Sequence, residues 1–355
     1  MSDKMDAWQF TRPGPISSVL RLSTTTVPKP ELTSDQDLLL EVVAAALNPA
    51  DYKLTEMGLA ARAALSYPKT PGMDLSARVV AVGAGVDDIR PGDTVVCRLS
   101  PFGKQGALSR HVVAPRSDVA KLPSPAAILN DGSGPAIDPA VLASGLGTAA
   151  LTAYQTIAPY VRPDAHDRVF INGGSGGVGS LGIQVAKLLG CHVTTTCSTP
   201  KVDLCRSLGA DVVIDYRKQD VVAALRAEGH VFSVVADNVC DSPHDLYPQS
   251  QHFLRPGAPY VFVGGRTSLA SVSRLLLHLC TPRFLGGRQR PYVQYFTKTV
   301  REDLEQVAAW FAQGKLRIVA EDVYEFSDAL AAFERVKKGT SKGKVIVKVM
   351  DSPAS

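Results

Sequence analysis

No stretch of this chain is apolar for long enough to cross a bilayer. The longest apolar patch, residues 269–280, is interrupted by Arg274 and His278 and falls short of the roughly 20 residues a spanning helix needs. The sequence therefore predicts no membrane span. It also lacks a Lys/Arg cluster and any aromatic–basic motif, and its net charge is only +4, so nucleic acid is not an expected partner. Paired cysteines are missing as well. The six cysteines, at 97, 191, 197, 205, 240 and 280, form neither a CxxC pair nor a Cys/His ligand set, which suits reduced thiols in a cytoplasmic protein. The start, Met1-Ser2-Asp3-Lys4-Met5-Asp6, has no apolar core and no arginine-rich amphipathic pattern, so no signal or transit peptide is expected. Long low-complexity segments are absent too, and 355 residues suit two domains, each with its own core.

Glycine is what the chain has in an ordered cluster. Val169-Phe170-Ile171-Asn172 is apolar and β-branched and predicts a buried strand. Gly173, Gly174, Gly176 and Gly177 then cross a tight turn. Residues 181–190 follow with apolar positions at helical spacing and a glycine stop. Gly174-x-Gly176-x-x-Gly179 is thus a G-x-G-x-x-G pattern between a strand and a helix. The first glycine allows the turn, the second allows close approach of a pyrophosphate, and the third allows helix and strand to pack. The free N–H groups at the helix start face an anion. Ser175, Gly176, Gly177 and Val178 are the candidate phosphate-binding residues.

Around this stretch the rhythm is that of two modules. Up to about residue 121 the chain reads as short strands with Pro/Gly turns, among them 37–47, 77–83, 94–97 and 106–113, which suggests a barrel-like β module. Residues 124–139 are rich in Pro, Gly, Ser and Asp and read as a junction. Strand–helix alternation follows, with strands at 192–197, 211–216, 231–237 and 259–265 and helices near 202–208, 219–228 and 244–254. Such alternation implies a parallel sheet covered on both faces. Residues 267–291 fit no regular unit and read as an apolar flap or a buried helix. The tail predicts a helix at 302–313, a strand, a helix at 327–338 and a strand at 345–349, returning to the first module.

Several passages resemble the zinc-independent, quinone-oxidoreductase-like branch of the medium-chain dehydrogenase/reductases. They are Asn48-Pro49-Ala50-Asp51, Pro71-Gly72-Met73-Asp74, Pro91-Gly92-Asp93-Thr94-Val95, Gly176-Gly177-Val178-Gly179 and Gly343-Lys344-Val345. The resemblance runs in order along most of the chain. It implies an α/β fold: a Rossmann doubly wound parallel sheet plus a GroES-like β-barrel domain, with the active site in the cleft. On that reading residues 1–135, completed by 315–355, are the GroES-like catalytic domain, and residues 136–314 are the Rossmann NADPH-binding domain. Asn48-Pro49-Ala50-Asp51-Tyr52-Lys53, Thr196-Cys197-Ser198-Thr199-Pro200 and Asp215-Tyr216-Arg217 resemble the fungal trans-acting enoyl reductases. Ala236-Asp237-Asn238-Val239 resembles the reticulon-interacting mitochondrial oxidoreductases.

An NAD-preferring site needs a carboxylate at the end of the second strand. Here that strand ends Cys197-Ser198-Thr199, with Lys201 beyond. The resemblance implies that Ser198, Lys201 and Tyr216 contact the 2′-phosphate of NADPH, and NADPH is the expected cofactor. Asn238 and Gly264 follow the fourth and fifth strands, at carboxyl ends where such sheets bind ligands. Lys344 resembles the family's cofactor-contacting lysine. No metal is expected: Gly72-Met73-Asp74 stands where zinc relatives have Gly-His-Glu, and Cys97 with His111 cannot complete a tetrahedral site.

Without a Lewis acid, reduction of an activated C=C bond is the easier chemistry. It needs a donor at the carbonyl oxygen, a proton source and a dry, oriented site. Asn48, Lys53 and Thr148 are the candidate catalytic residues. Asn48 is assigned to positioning the nicotinamide, Lys53 to the developing enolate, and Thr148 to the nicotinamide or the substrate. Asn48 as a turn former and Thr148 as a helix cap are the structural alternatives, and Asp51 and Asp74 read as loop anchors. Tyr52 and Tyr67 are candidate proton donors, with packing as their other reading. The expected function is NADPH-dependent reduction of an enone, quinone or enoyl thioester. An NADPH-binding scaffold and a redox-silent cyclisation catalyst are the alternatives. The substrate is a small molecule, a carrier-bound thioester among the candidates, and the protein a monomer or homodimer.

Overall fold

The computed structural model describes residues 3–123, 137–163, 165–239, 246–263, 280–282 and 289–350. These gather into two units, Met1–Leu151 with Thr299–Ser355, and Thr152–Lys298. The seams differ from the rhythm-based junctions at 135/136 and 314/315. Helices Pro139–Ala143 and Arg301–Ala312 both pack on strands of the first unit, which draws them into it.

The first unit is built on the strand Asp37–Leu47. Its eleven residues are almost continuously apolar, and Ala44, Ala45 and Ala46 are fully buried. Both edges of this strand are paired. Asp74–Val82, His111–Pro115 and Lys344–Lys348 all pair with it antiparallel. The strand stops at Asn48, where Pro49 has no N–H for the ladder. The last strand, Lys344–Lys348, pairs Val345 with Leu47, so the chain's end completes the sheet that its beginning starts. The core joins Phe10, Leu38, Leu40, Leu75, Phe333 and Val347. Trp8 Nε1 donates to Phe326 O at 2.8 Å and ties the first strand to the tail.

The second unit is a six-stranded parallel sheet. In spatial order its strands are Val212–Asp215, His192–Cys197, Arg168–Asn172, Phe232–Asp237, Tyr260–Val263 and Tyr292–Tyr295. Counted along the chain this is the order 3-2-1-4-5-6, with its topological switch beside Arg168–Asn172. The sixth strand falls outside the sequence expectation. It is four residues long and half-exposed, so no hydrophobic run announces it; the Tyr292 ring packs against Tyr247 at 4.9 Å. The helix after the glycine turn is Gly177–Leu188, beginning earlier than the apolar pattern at 181 suggests. The expected helix at 244–254 appears as Leu246–Gln249 and a 3₁₀ turn, Ser250–His252. Among the described residues no helix is long and apolar enough to cross a membrane.

The glycines of the turn answer to different constraints. A Cβ on Gly174 would lie 2.1 Å from Thr195 Oγ1, and one on Gly179 would lie 2.1 Å from Gly173 O. A Cβ on Gly176 would have its nearest neighbour at 3.6 Å, an ordinary contact. Gly179→Ala is therefore expected to cost about 1–3 kcal/mol, because a backbone oxygen must move. Gly176→Ala is expected to stay within about 0.5 kcal/mol. Urea unfolding of the two variants checks the contrast.

Candidate active site

Asp74 opens the strand Asp74–Val82 and is completely buried. Its Oδ1 accepts the backbone N–H and the hydroxyl of Thr148, each at 2.7 Å. Its Oδ2 accepts Asn48 Nδ2 at 2.8 Å. Gly147 permits this approach, since a Cβ there would stand 2.4 Å from Asp74 Oδ1. Lys344, also buried, donates from Nζ to Asn48 Oδ1 at 2.7 Å and to Leu47 O at 3.2 Å, and lies 3.7 Å from Asp74 Oδ2. Both ends of the Asn48 amide are thereby fixed, its nitrogen by a carboxylate and its oxygen by an ammonium. Burial pulls the Lys344 ammonium below its usual range, and the charges of Asp74 and Asp51 oppose that pull.

Asn48 and Thr148 thus belong to one cluster inside the first unit. Lys344 belongs to it too, with its ammonium directed at Asn48, Leu47 and Asp74 rather than standing solvated among the terminal lysines. Arg98 is a member that the sequence did not flag. It is buried, its Nε donates to Thr148 Oγ1 at 3.1 Å, and its Nη1 donates to Thr299 Oγ1 at 2.8 Å. Only its place at the end of the strand Thr94–Arg98, after a buried run, hinted at an inward arginine.

Lys53 closes the five-residue helix Pro49–Lys53 and is half-buried. Among the described residues its ammonium joins no hydrogen bond or ion pair of this cluster. Asp51, at the third position of that helix, accepts the backbone N–H of Asn48 at 2.7 Å. Burial first, and the charge of Asp74 second, lift its carboxyl to about 7. The Tyr67 hydroxyl donates to Ala61 O at 3.1 Å. The Tyr52 ring is buried beneath the Lys337 ammonium at 5.3 Å. Both tyrosines therefore have packing roles.

In the second unit the turn after Asn172 is braced from behind. Gly173 N–H donates to Thr196 Oγ1 at 2.9 Å, and Thr196 Oγ1 donates to Asn172 Oδ1 at 2.6 Å. Asn172 Nδ2 donates to Asp237 Oδ1 at 2.7 Å, and the Tyr260 hydroxyl to the other Asp237 oxygen. This buried chain of polar side chains crosses four adjacent strands, near the carboxyl ends of three and at the first residue of the fourth, Tyr260. Its sequence signal was the polar residue ending each of two apolar strands, at Asn172 and Asp237. Gly176 caps the helix Gly177–Leu188 without a side-chain acceptor, so the N–H groups of its first turn have none from the cap. Ser175 is buried, and Gly177 and Val178 are half-buried on that turn.

Ser198 ends the strand His192–Cys197 and is buried. Lys201 closes the 3₁₀ turn that follows, and its backbone N–H donates to Ser198 O at 2.9 Å. Tyr216, nearly half exposed at 47%, follows Asp215, whose register partner is Cys197. The three residues therefore stand on adjacent strand ends. The Asp215 carboxylate accepts a hydrogen bond from Thr199 and the Arg217 N–H at 3.0 Å, and both hold it below its usual range. It is shared between the neighbouring turn that carries Thr199 and its own loop. Asn238 donates its backbone N–H to Asn172 O at 3.2 Å, while its Oδ1 is buried without a hydrogen-bond partner among the described residues. Gly264 lies outside the described residues, as do most of residues 267–291.

A nicotinamide dinucleotide fits this set. Gly176 has room within the protein for a Cβ, so a bare backbone there leaves space on the outer side of the turn. The uncapped helix start and the orphaned Asn238 oxygen supply donors and an acceptor at the carboxyl edge of the sheet. Among the described residues no group of three or more His, Cys, Asp or Glu side chains is placed to hold a metal ion.

Two family profiles match the chain: the alcohol dehydrogenase GroES-like domain over residues 34–124, and the zinc-binding dehydrogenase over residues 208–347. The chain belongs to the medium-chain dehydrogenase/reductases, in their quinone-oxidoreductase-like branch. Membership makes it an oxidoreductase with a nicotinamide cofactor. The trans-enoyl reductase pgmF of Aspergillus terreus is 42% identical over 361 residues, covering 97% of this chain and 96% of that protein. The chloroplastic quinone-oxidoreductase homolog of Spinacia oleracea is 28% identical, covering 97% and 98%. Among solved structures, the quinone oxidoreductase from Coxiella burnetii superposes with a TM-score of 0.76 at 27% identity, over 98% of this chain and all of that one.

Replacing Asp74 by alanine is expected to cost about 3–5 kcal/mol, because the buried Lys344 ammonium would lose its counter-charge. Lys53→Ala is expected to change stability by no more than about 0.5 kcal/mol. Chemical denaturation of both variants measures the difference.

Proposed function

We propose that this protein is an NADPH-dependent, metal-independent reductase of an activated C=C bond, in an enone, quinone or enoyl thioester. The observation that carries this reading is the Asp74 cluster, which fixes the Asn48 amide and the Thr148 hydroxyl, with no metal-ligand set assembled among the described residues. The similarity to a trans-enoyl reductase over nearly the whole chain supports the reaction class. Phosphate recognition is supported by the hydroxyl of Ser198, the cation of Lys201 and the ring of Tyr216 on adjacent strand ends. Asp215, on the adjacent strand end, is occupied by Thr199 and by the Arg217 N–H.

When bound, the nicotinamide supplies the hydride for the β-carbon. The remaining work falls to the chain. Thr148 gives its single hydroxyl proton to Asp74 and accepts the Arg98 Nε–H, so any contact it makes with a ligand is as an acceptor, as for the N–H of a carboxamide. Asn48 is held rigid through both atoms of its amide, which pre-organises the site. Lys53 supplies a cation for the oxygen on which negative charge accumulates. Its place at the end of a short helix lets the ammonium move over a small range without disturbing the cluster.

Two measurements test the proposal. NADPH oxidation is followed over a panel of enones, quinones and enoyl thioesters. Turnover is expected with at least one class, and Lys53→Ala should lower kcat/KM by about 10²-fold. Tight NADPH binding with silence across the panel points instead to a binding or redox-silent role. In calorimetry, Lys201→Ala should weaken NADPH binding by about 10- to 100-fold, the worth of one charged hydrogen bond, and leave NADH binding unchanged. Equal loss for both cofactors would remove the phosphate contact.

A further inference from the structure

Behind the helix Pro49–Lys53 lies a second buried lysine that the cluster around Asp74 does not use. Lys69 is only 5% exposed. Its backbone is fixed by two hydrogen bonds with Phe10, each of 3.0 Å, and its Nζ donates to Gly103 O. With Asp51, Lys69 lines a narrow, partly open space of about 10 Å³ whose other walls include Phe10, Leu54, Met73 and Ser100. That is the volume of a single water. The two charged groups do not touch. Asp51 holds the Asn48 N–H, and Lys69 holds a carbonyl on the far side.

We propose that Lys69 is a positioning residue: across this one-water space its ammonium keeps the Asp51 carboxylate charged, and the charged carboxylate pins the N-cap residue Asn48. The helix has only five residues and Pro49 at its first position, so few of its own hydrogen bonds hold it. The reach of Asp51 back to the cap N–H is what closes its first turn, and a negative charge there also suits the helix N-terminus. Lose the charge, and the Asn48 backbone N–H loses its strong acceptor at the start of the helix that ends in Lys53.

The charges facing Asp51 come from three elements. Asp74, on the sheet, opposes its ionisation. Lys344 favours it but is already shared among Asn48, Leu47 and Asp74. Lys69, from the segment before Asp74, favours it and has no other carboxylate within ion-pair distance among the described residues. Burial lowers Lys69 to about 8, with Asp51 acting against that, while Asp51 stands at about 7. The pair therefore exchanges its charged and neutral forms across neutral pH. Because the folded-state value of Asp51 lies above its unfolded one, the cost of ionising it in the fold appears as pH rises from about 4 toward 7. Removing Lys69 would extend that cost upward and leave Asp51 neutral at pH 7.

The experiment is a carboxyl-carbon NMR titration of the full chain labelled with [γ-13C]aspartate, Asp51 being assigned by Asp51→Asn. A midpoint close to 7 is expected in the wild type. In Lys69→Met it should rise by about one to three units, and Lys69→Arg should restore it. A wild-type midpoint near 4, or one that Lys69→Met leaves in place, overturns the proposal. Should Lys69→Met not fold, Lys69→Gln replaces it. If that fails too, the wild-type curve decides, because Lys69 must print a second inflection near 8 on the Asp51 signal and a single step overturns the coupling. The kinetic arm rests on the reductase reading. There the acid limb of kcat/KM should move with the Asp51 midpoint in Lys69→Met and return in Lys69→Arg. A uniform loss of rate with an unmoved limb overturns the positioning role. Absence of turnover in the wild type would count against the reductase reading alone, since the NMR arm needs no substrate.

Discussion

A carboxylate and an ammonium shut away from water govern the first unit. Asp74 is fully buried and Lys344 nearly so, and neither charge is tolerable there alone. They come from opposite ends of the sequence and meet because the last strand pairs beside Leu47. Exposed pairs such as Arg335 with Glu321 contribute little by comparison, since water screens them. The buried pair therefore acts as a check on assembly. Until the C-terminal strand is in place, Asp74 lacks its counter-charge and the Asn48 amide lacks a partner for its oxygen.

On the proposed reading, the same pair turns a stability device into a chemical one. Asp74 has several acceptor positions and uses them on Thr148 twice and on Asn48 once, so the two polar side chains share a rigid reference. Rigidity of this kind is what a reaction with little covalent chemistry asks of its protein. Lys53 lies outside the network, where a side chain that must follow a changing charge would be best placed.

The second unit separates two uses of glycine. At Gly174 and Gly179 the protein itself forbids a side chain, because strand and turn atoms already occupy the space. At Gly176 the protein leaves room, so the economy of atoms there serves something outside the fold. Behind the turn, the series Thr196, Asn172, Asp237 and Tyr260 hydrogen-bonds each strand to the next. It keeps the edge that faces a ligand from relaxing.

Local pattern carried much of this architecture. The strand Asp37–Leu47 and the strand His192–Cys197 could be read from apolar runs with punctuation at their ends, and the glycine turn from its flanking strand and helix, because each depends on residues close in sequence. The strand Tyr292–Tyr295 could not, since four half-exposed residues acquire strand character only from the neighbour they pair with. Asn48 and Thr148 could be nominated by motif and resemblance, yet what joins them is Asp74, which reads in one dimension as a loop anchor. Lys69 gave no signal and Arg98 only its place after a buried run, because burial of a cation is decided by what folds over it. The sequence by itself determined where strands, turns and the anion-facing helix start would form, for those follow from neighbouring side chains and backbone freedom. Only the tertiary structure decided which charges would lie buried face to face, because desolvation and ion pairing arise between residues that the chain keeps far apart until it folds.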